Sequence, residues 1–150
     1  MNWVTTLKEI SPFLAIVVSL VALIAGPYFQ TRVARKQSLS VMREKWIYMF
    51  RDALVDLTTK LDVLHESTGE NGFIGSPEYS DYLTELSALQ NRIHFMVNSE
   101  EPIYKELLEN INSAVSMVLQ GIDDYRKFHE ANDLIKSTGQ KAVRMEWKKV

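Results

Sequence analysis

Three histidines, His65, His94 and His129, are this sequence's candidates for general acid–base work, and there is no cysteine to act as a nucleophile. His129 lies one helical turn after Arg126, and Asp123 and Asp124 stand just before that arginine. Arg92 precedes His94 by two positions, with Asn91 and Asn98 nearby. These are the polar residues to watch: Arg92, His94, Arg126 and His129. Each has a plainer explanation. A lone histidine beside an apolar stripe is usually packed or capping, and acids near an arginine form i, i+3 pairs on a solvated helix face. No glycine-rich phosphate loop and no pair of histidines at metal-ligand spacing occurs, so neither a metal nor a cofactor is expected. The chain reads as a non-enzyme.

The strongest signal is apolar. From Pro12 to Phe29 there is no charged residue across 18 positions. That is about 27 Å of helix, close to the hydrocarbon thickness of a bilayer. A buried core helix would be shorter or carry a polar stripe, and here Ser19 is the only hydroxyl before Tyr28. A cleaved signal peptide would want a basic start, whereas the first eleven residues hold one Lys8 and one Glu9. A transmembrane anchor is the expectation, with Trp3 and Tyr28 as interfacial residues.

Charge orients it. After the segment come Arg32, Arg35, Lys36, Arg43, Lys45 and Arg51, against a single Glu44. Basic residues stay on the cytoplasmic side, which places residues 1–11 outside and the rest of the chain in the cytoplasm. Anionic lipid is the expected contact of Arg32, Arg35, Lys36, Arg43 and Lys45 in a neck over residues 30–46. From Asp52 to Asp133 there are 16 acidic and 5 basic residues, a local charge of -11. Such a body argues against nucleic acid as a partner, because phosphate needs cationic surface. From Leu134 onward Lys136, Lys141, Arg144, Lys148 and Lys149 face only Glu146.

The remainder, 47–150, reads as an antiparallel bundle of three to four helices, making the chain all-α. A first helix over 30–66, continuing from the membrane and open to a kink at Pro27, carries Ile47, Phe50, Leu54, Leu57, Leu61 and Leu64 at spacings of three and four. Ser67 to Gly72 break it, and Ser76 with Pro77 starts a second helix to Val97. Its stripe is Tyr79, Tyr82, Leu86, Leu89, Ile93 and Met96. Ser99 is the expected cap of a third helix carrying Leu108, Ile111, Val115, Val118, Ile122, Tyr125 and His129. Within it Gly121 is read as allowing a neighbour's close approach. A last helix over about 132–149, with Gly139 in its course, reads either as separate or as a bent continuation of the third.

Within the apolar run, Ala15, Ser19, Ala22 and Gly26 recur at spacings of four, three and four. One helix face is therefore smooth, and small residues let membrane helices approach closely. The expectation is a homo-oligomer. A ring of such helices would enclose an apolar constriction of the kind that gates by dewetting.

Three pieces carry a resemblance: Arg43-Glu44-Lys45-Trp46-Ile47 followed by Arg51; Asn91-Arg92-Ile93 with Asn98-Ser99-Glu100-Glu101; and Arg144-Met145-Glu146-Trp147-Lys148. Their layout resembles small bacterial single-pass membrane proteins with a cytosolic helical bundle, similar to the accessory membrane-pore proteins of type VI-B CRISPR systems. The resemblance implies an oligomer that aids antiviral defence at the inner membrane. Helical nucleases with which such bundles have been compared carry an arginine followed by a histidine after four to six intervening residues. Here Arg126 and His129 have two residues between them, and Arg92 and His94 one, so neither pair fits. Two alternatives stand beside this reading. One is a tether whose acidic bundle recruits a cytosolic protein partner; the other is an RNA-cleaving bundle using Arg126 and His129.

Overall fold

The computed structural model of the chain describes residues 3–67, 73–121 and 124–150, with side chains from residue 13 onward. Ser67, where the expected breaker begins, is still helical; Thr68–Gly72 and the stripe position Ile122 lie outside the described residues, as do Asp123 and the side chains of the short N-terminus, including Trp3. Among the described residues there are four helices and no strand: α1 Trp3–Ser67, α2 Pro77–Met96, α3 Pro102–Leu119 and α4 Tyr125–Trp147. The chain is all-α, as its sequence pattern predicts. It divides into two compact units, residues 1–42 and 43–150.

The first unit is the N-terminal part of α1. The helix is unbroken through Pro27, although proline removes one helical donor. From Phe13 to Phe29 every large apolar side chain is exposed. It is the one stretch among the described residues long and apolar enough to cross a membrane.

The second unit is the bundle. Side-chain hydrogen bonds give its order around the axis. Lys60 of α1 bonds Glu85 of α2. Gln90 of α2 donates to Asn112 of α3 at 2.7 Å. Asn110 of α3 donates to the Thr138 hydroxyl of α4 at 3.0 Å. Asn132 of α4 donates back to Asp62 of α1 at 2.6 Å. Each neighbouring pair runs antiparallel: Trp46 meets Met96 while Lys60 meets Glu85, and Arg43 meets Glu146 while Asp62 meets Asn132.

The predicted seam of α1 is the core. Ile47, Phe50, Leu54, Leu57, Leu61 and Leu64 are all buried, each contributing about 1.5–3 kcal/mol by leaving water. Leu86 and Ile93 of α2 and Leu108, Ile111, Val115 and Val118 of α3 face them. Ser76 caps α2 as expected, its hydroxyl accepting from the Tyr79 N–H at 3.0 Å, with Pro77 as the first helical residue.

Four details correct the sequence reading. The N-cap of α3 is Glu101, without a side-chain cap bond, rather than Ser99, because Pro102 begins the helix. Asn98 makes the preceding turn, accepting from the Glu100 N–H on its side chain and from the Glu101 N–H on its carbonyl. The third helix stops at Leu119, so Tyr125 and His129 belong to α4, which starts seven residues before the expected Asn132. Asp124 caps it, accepting from the Lys127 N–H at 3.1 Å. Gly121 is not a close-approach residue: its φ is +61° and a Cβ there would meet nothing within 4 Å, so it serves the turn. The glycine that permits close approach is Gly139, inside α4, where a Cβ would come within 2.8 Å of the Leu54 Cδ1 of α1.

Candidate functional site

Two places stand out, one in each unit. In the first, Ala15 and Ser19 line a shallow groove of about 340 Å³ walled by Ile16, Leu20 and Leu23. Ser19 donates its hydroxyl proton to the Ala15 carbonyl at 2.7 Å, so the polar group is satisfied within the helix. Ala22 and Gly26 continue the same face outside the groove. A Cβ on Gly26 would meet nothing within 4 Å.

In the second unit, three separated segments converge at one end of the bundle, where α1 enters it. Glu146 of α4 is buried and accepts from the Tyr104 hydroxyl of α3 at 3.0 Å and from Lys149 at 2.6 Å. Arg43 of α1 lies 3.9 Å from its other oxygen and donates to the Lys149 carbonyl at 2.6 Å. Lys149 also reaches Glu101 at 4.0 Å, so two cations and two carboxylates balance. Beneath them the Trp46 indole N–H donates to the Met96 carbonyl at 3.1 Å, and its ring stacks on Phe50. Phe50 in turn meets the Tyr104 ring edge-on. Burial, then the hydrogen bond to Glu146 and the charges of Glu146 and Glu101, push the Tyr104 phenol well above its ordinary 10.0. Tyr104 is therefore a fixed donor to a buried carboxylate. This cluster ties α1, α3 and α4 together, and its chemistry is that of a clamp.

The polar watch-list does not assemble. Arg92 and His94 are exposed near the clamp end of α2, and His94 has the Phe95 ring as its neighbour. Arg126 and His129 sit at the opposite end, on the first turns of α4. Arg126 is exposed and pairs with Glu130 at 3.9 Å. His129 instead packs among rings, 3.9 Å from Tyr125 and 5.4 Å from Phe128 between centroids, while His65 stacks on Phe128 at 4.0 Å. Asp124 is occupied as the α4 cap, and the cap bonds and Lys127 ammonium hold its carboxyl below the usual range. No group of three potential metal ligands occurs among the described residues.

The basic neck splits between roles. Arg32 lies over the Tyr28 ring at 4.7 Å, and Arg32, Arg35 and Lys36 are exposed. Lys45 is exposed in the bundle unit, and Arg43 is committed to the clamp. Sequence reasoning did not foresee Tyr104 or the pairing of its hydroxyl with Glu146. No local spacing signals a contact 42 positions apart.

No protein-family model matches the chain, and neither a curated protein nor a solved structure does. The class is thus defined by the fold: an all-α chain with one long apolar N-terminal helix and a four-helix unit into which that helix continues.

Proposed function

We propose that this chain is a single-pass membrane protein of a bacterial inner membrane, N-terminus outside and bundle in the cytoplasm. In this reading it self-associates and acts as an accessory or effector of antiviral defence, with membrane permeation as its output. One observation carries the proposal: the exposure, on all sides of the helix, of the apolar side chains from Phe13 to Phe29. A helix apolar all round needs a lipid or protein interior around it. The small-residue face with its groove supports association of such helices. Orientation rests on the basic residues that follow, and the defence role on the layout resemblance. The three segments carrying that resemblance include Arg43, Glu101 and Glu146, which lie in the clamp.

The chain is not proposed as an enzyme, since Arg126 and His129 are engaged with separate neighbours. The test is ion or dye flux from vesicles holding the wild type and a variant with Ala22→Leu and Gly26→Leu. Flux that the double substitution abolishes, together with assembly, supports the proposal. Intact vesicles with the wild type favour a tether that only recruits a partner.

A further inference from the structure

The two basic segments that are far apart in sequence become neighbours in the bundle. α1 and α4 pack side by side, and between them runs a groove of about 350 Å³. Its floor is apolar, with Leu54, Ile135 and Val143, and its rim carries Arg51, Lys136 and Arg144. Arg144 has no ion-pair partner among the described residues, and Arg51 pairs with its exposed neighbour Asp52 at 3.4 Å while its guanidinium lies over the Tyr48 ring at 5.3 Å. Lys136 is shared with Asp133 at 3.7 Å and Asp62 at 4.0 Å.

The other two helices carry the opposite charge. Glu106 and Glu109 of α3 are exposed and have no ion-pair partner among the described residues. Glu78 and Asp81 of α2 are exposed too, but they share a stripe with Glu85, which faces Lys60 of α1. On α3, Pro102, Glu106 and Glu109 share one face at i, i+4 and i+7, an apolar ring ahead of two carboxylates. The order α1, α2, α3, α4 around the axis puts this pair of helices across the bundle from the groove.

We infer that the α1/α4 groove is filled by the outward acidic face of α3, carrying Glu106 and Glu109, of a second copy of this chain. The choice of occupant follows from complementarity: the chain itself supplies a surface whose apolar and anionic groups match an apolar, cationic slot. Because the two patches differ, the contact is heterologous and repeats from copy to copy until a ring closes. This inference rests on the proposed self-association and supplies its cytoplasmic geometry.

The experiment uses the full chain in lipid nanoparticles, with particle mass as the readout and circular dichroism confirming the fold. Lys136→Glu with Arg144→Glu should weaken assembly about tenfold or more, and Glu106→Lys with Glu109→Lys should do the same. Val55→Trp, which plugs the groove from a half-exposed position without changing charge, should act likewise. Mixing the two charge-reversed variants should restore mixed pairs through their reversed surfaces, and high salt should weaken the wild-type assembly. Wild-type assemblies unmoved by any of these variants overturn the inference and leave self-association through the membrane helix standing. Loss with the groove variants alone also overturns it, by pointing to a different anionic occupant. A wild type that is monomeric overturns the self-association reading itself.

Discussion

Two stretches of the same helix, with 14 of 17 residues apolar between Phe13 and Phe29 and 11 of 18 between Ile47 and Leu64, have opposite fates. Between Phe13 and Phe29 the large side chains are spread around the full circumference, and all of them are exposed. Between Ile47 and Leu64 they recur every third or fourth residue, and those seam positions are 0–9 % exposed. Hydrophobicity alone therefore does not decide where a segment goes. A one-sided stripe can be satisfied by three neighbouring helices, whereas an all-round apolar cylinder needs a surrounding apolar medium. The change of regime falls at Arg43 to Trp46, the first α1 residues to bond other helices.

Single substitutions should separate the two regimes. Leu57→Ala removes a fully buried side chain from the seam and should cost about 2–5 kcal/mol of bundle stability. The melting temperature of the full chain should fall by roughly 10 °C or more, while the fraction recovered in alkaline-washed membranes should not change. Leu20→Arg should do the reverse. It places a charge in the apolar cylinder at about 2.5–3.5 kcal/mol of insertion free energy, depleting the membrane fraction while the bundle's helix signal and melting hold. If the two variants gave the same phenotype, the contrast between the regions would collapse.

The clamp at the boundary gives a smaller effect with a distinctive pH signature. Tyr104→Phe leaves buried Glu146 without one donor and should cost about 1–3 kcal/mol. In the wild type the folded phenol titrates above the unfolded one, so its contribution is complete below pH 10.0 and declines as pH rises past that value. Denaturant midpoints across alkaline pH should fall in the wild type, and part of that slope should disappear in the variant. The smallest effect belongs to Gly139→Ala. The new methyl displaces the flexible end of Leu54, and the helix gains up to about 1 kcal/mol from losing a glycine. The net change in midpoint should stay within about 1 kcal/mol of zero.

Much of the fold was legible because its determinants are local. Apolar spacing identified the seam of α1, and Ser76 with Pro77 marked the start of α2. Where the reading went astray, local signals competed. Ser99 and Glu101 both precede a helix, and the proline position decided for Glu101. The stripe from Leu108 through His129 kept its period across a turn, which hid the break that Gly121 makes. The functional surfaces were only half legible. The smooth face of Ala15, Ser19, Ala22 and Gly26 is a periodicity, and periodicities can be read. The clamp of Arg43, Tyr104, Glu146 and Lys149 and the joining of two basic segments around one groove depend on helix order, and sequence spacing does not encode that directly.

The central claim is that the apolar cylinder sits in a membrane and brings copies together. The mass of the particle extracted from membranes together with its surrounding lipid tests this most directly. The account predicts one closed species of more than two copies, reduced in size by Ala22→Leu with Gly26→Leu. A single copy per particle, or full recovery of the wild type in the soluble fraction, would contradict it.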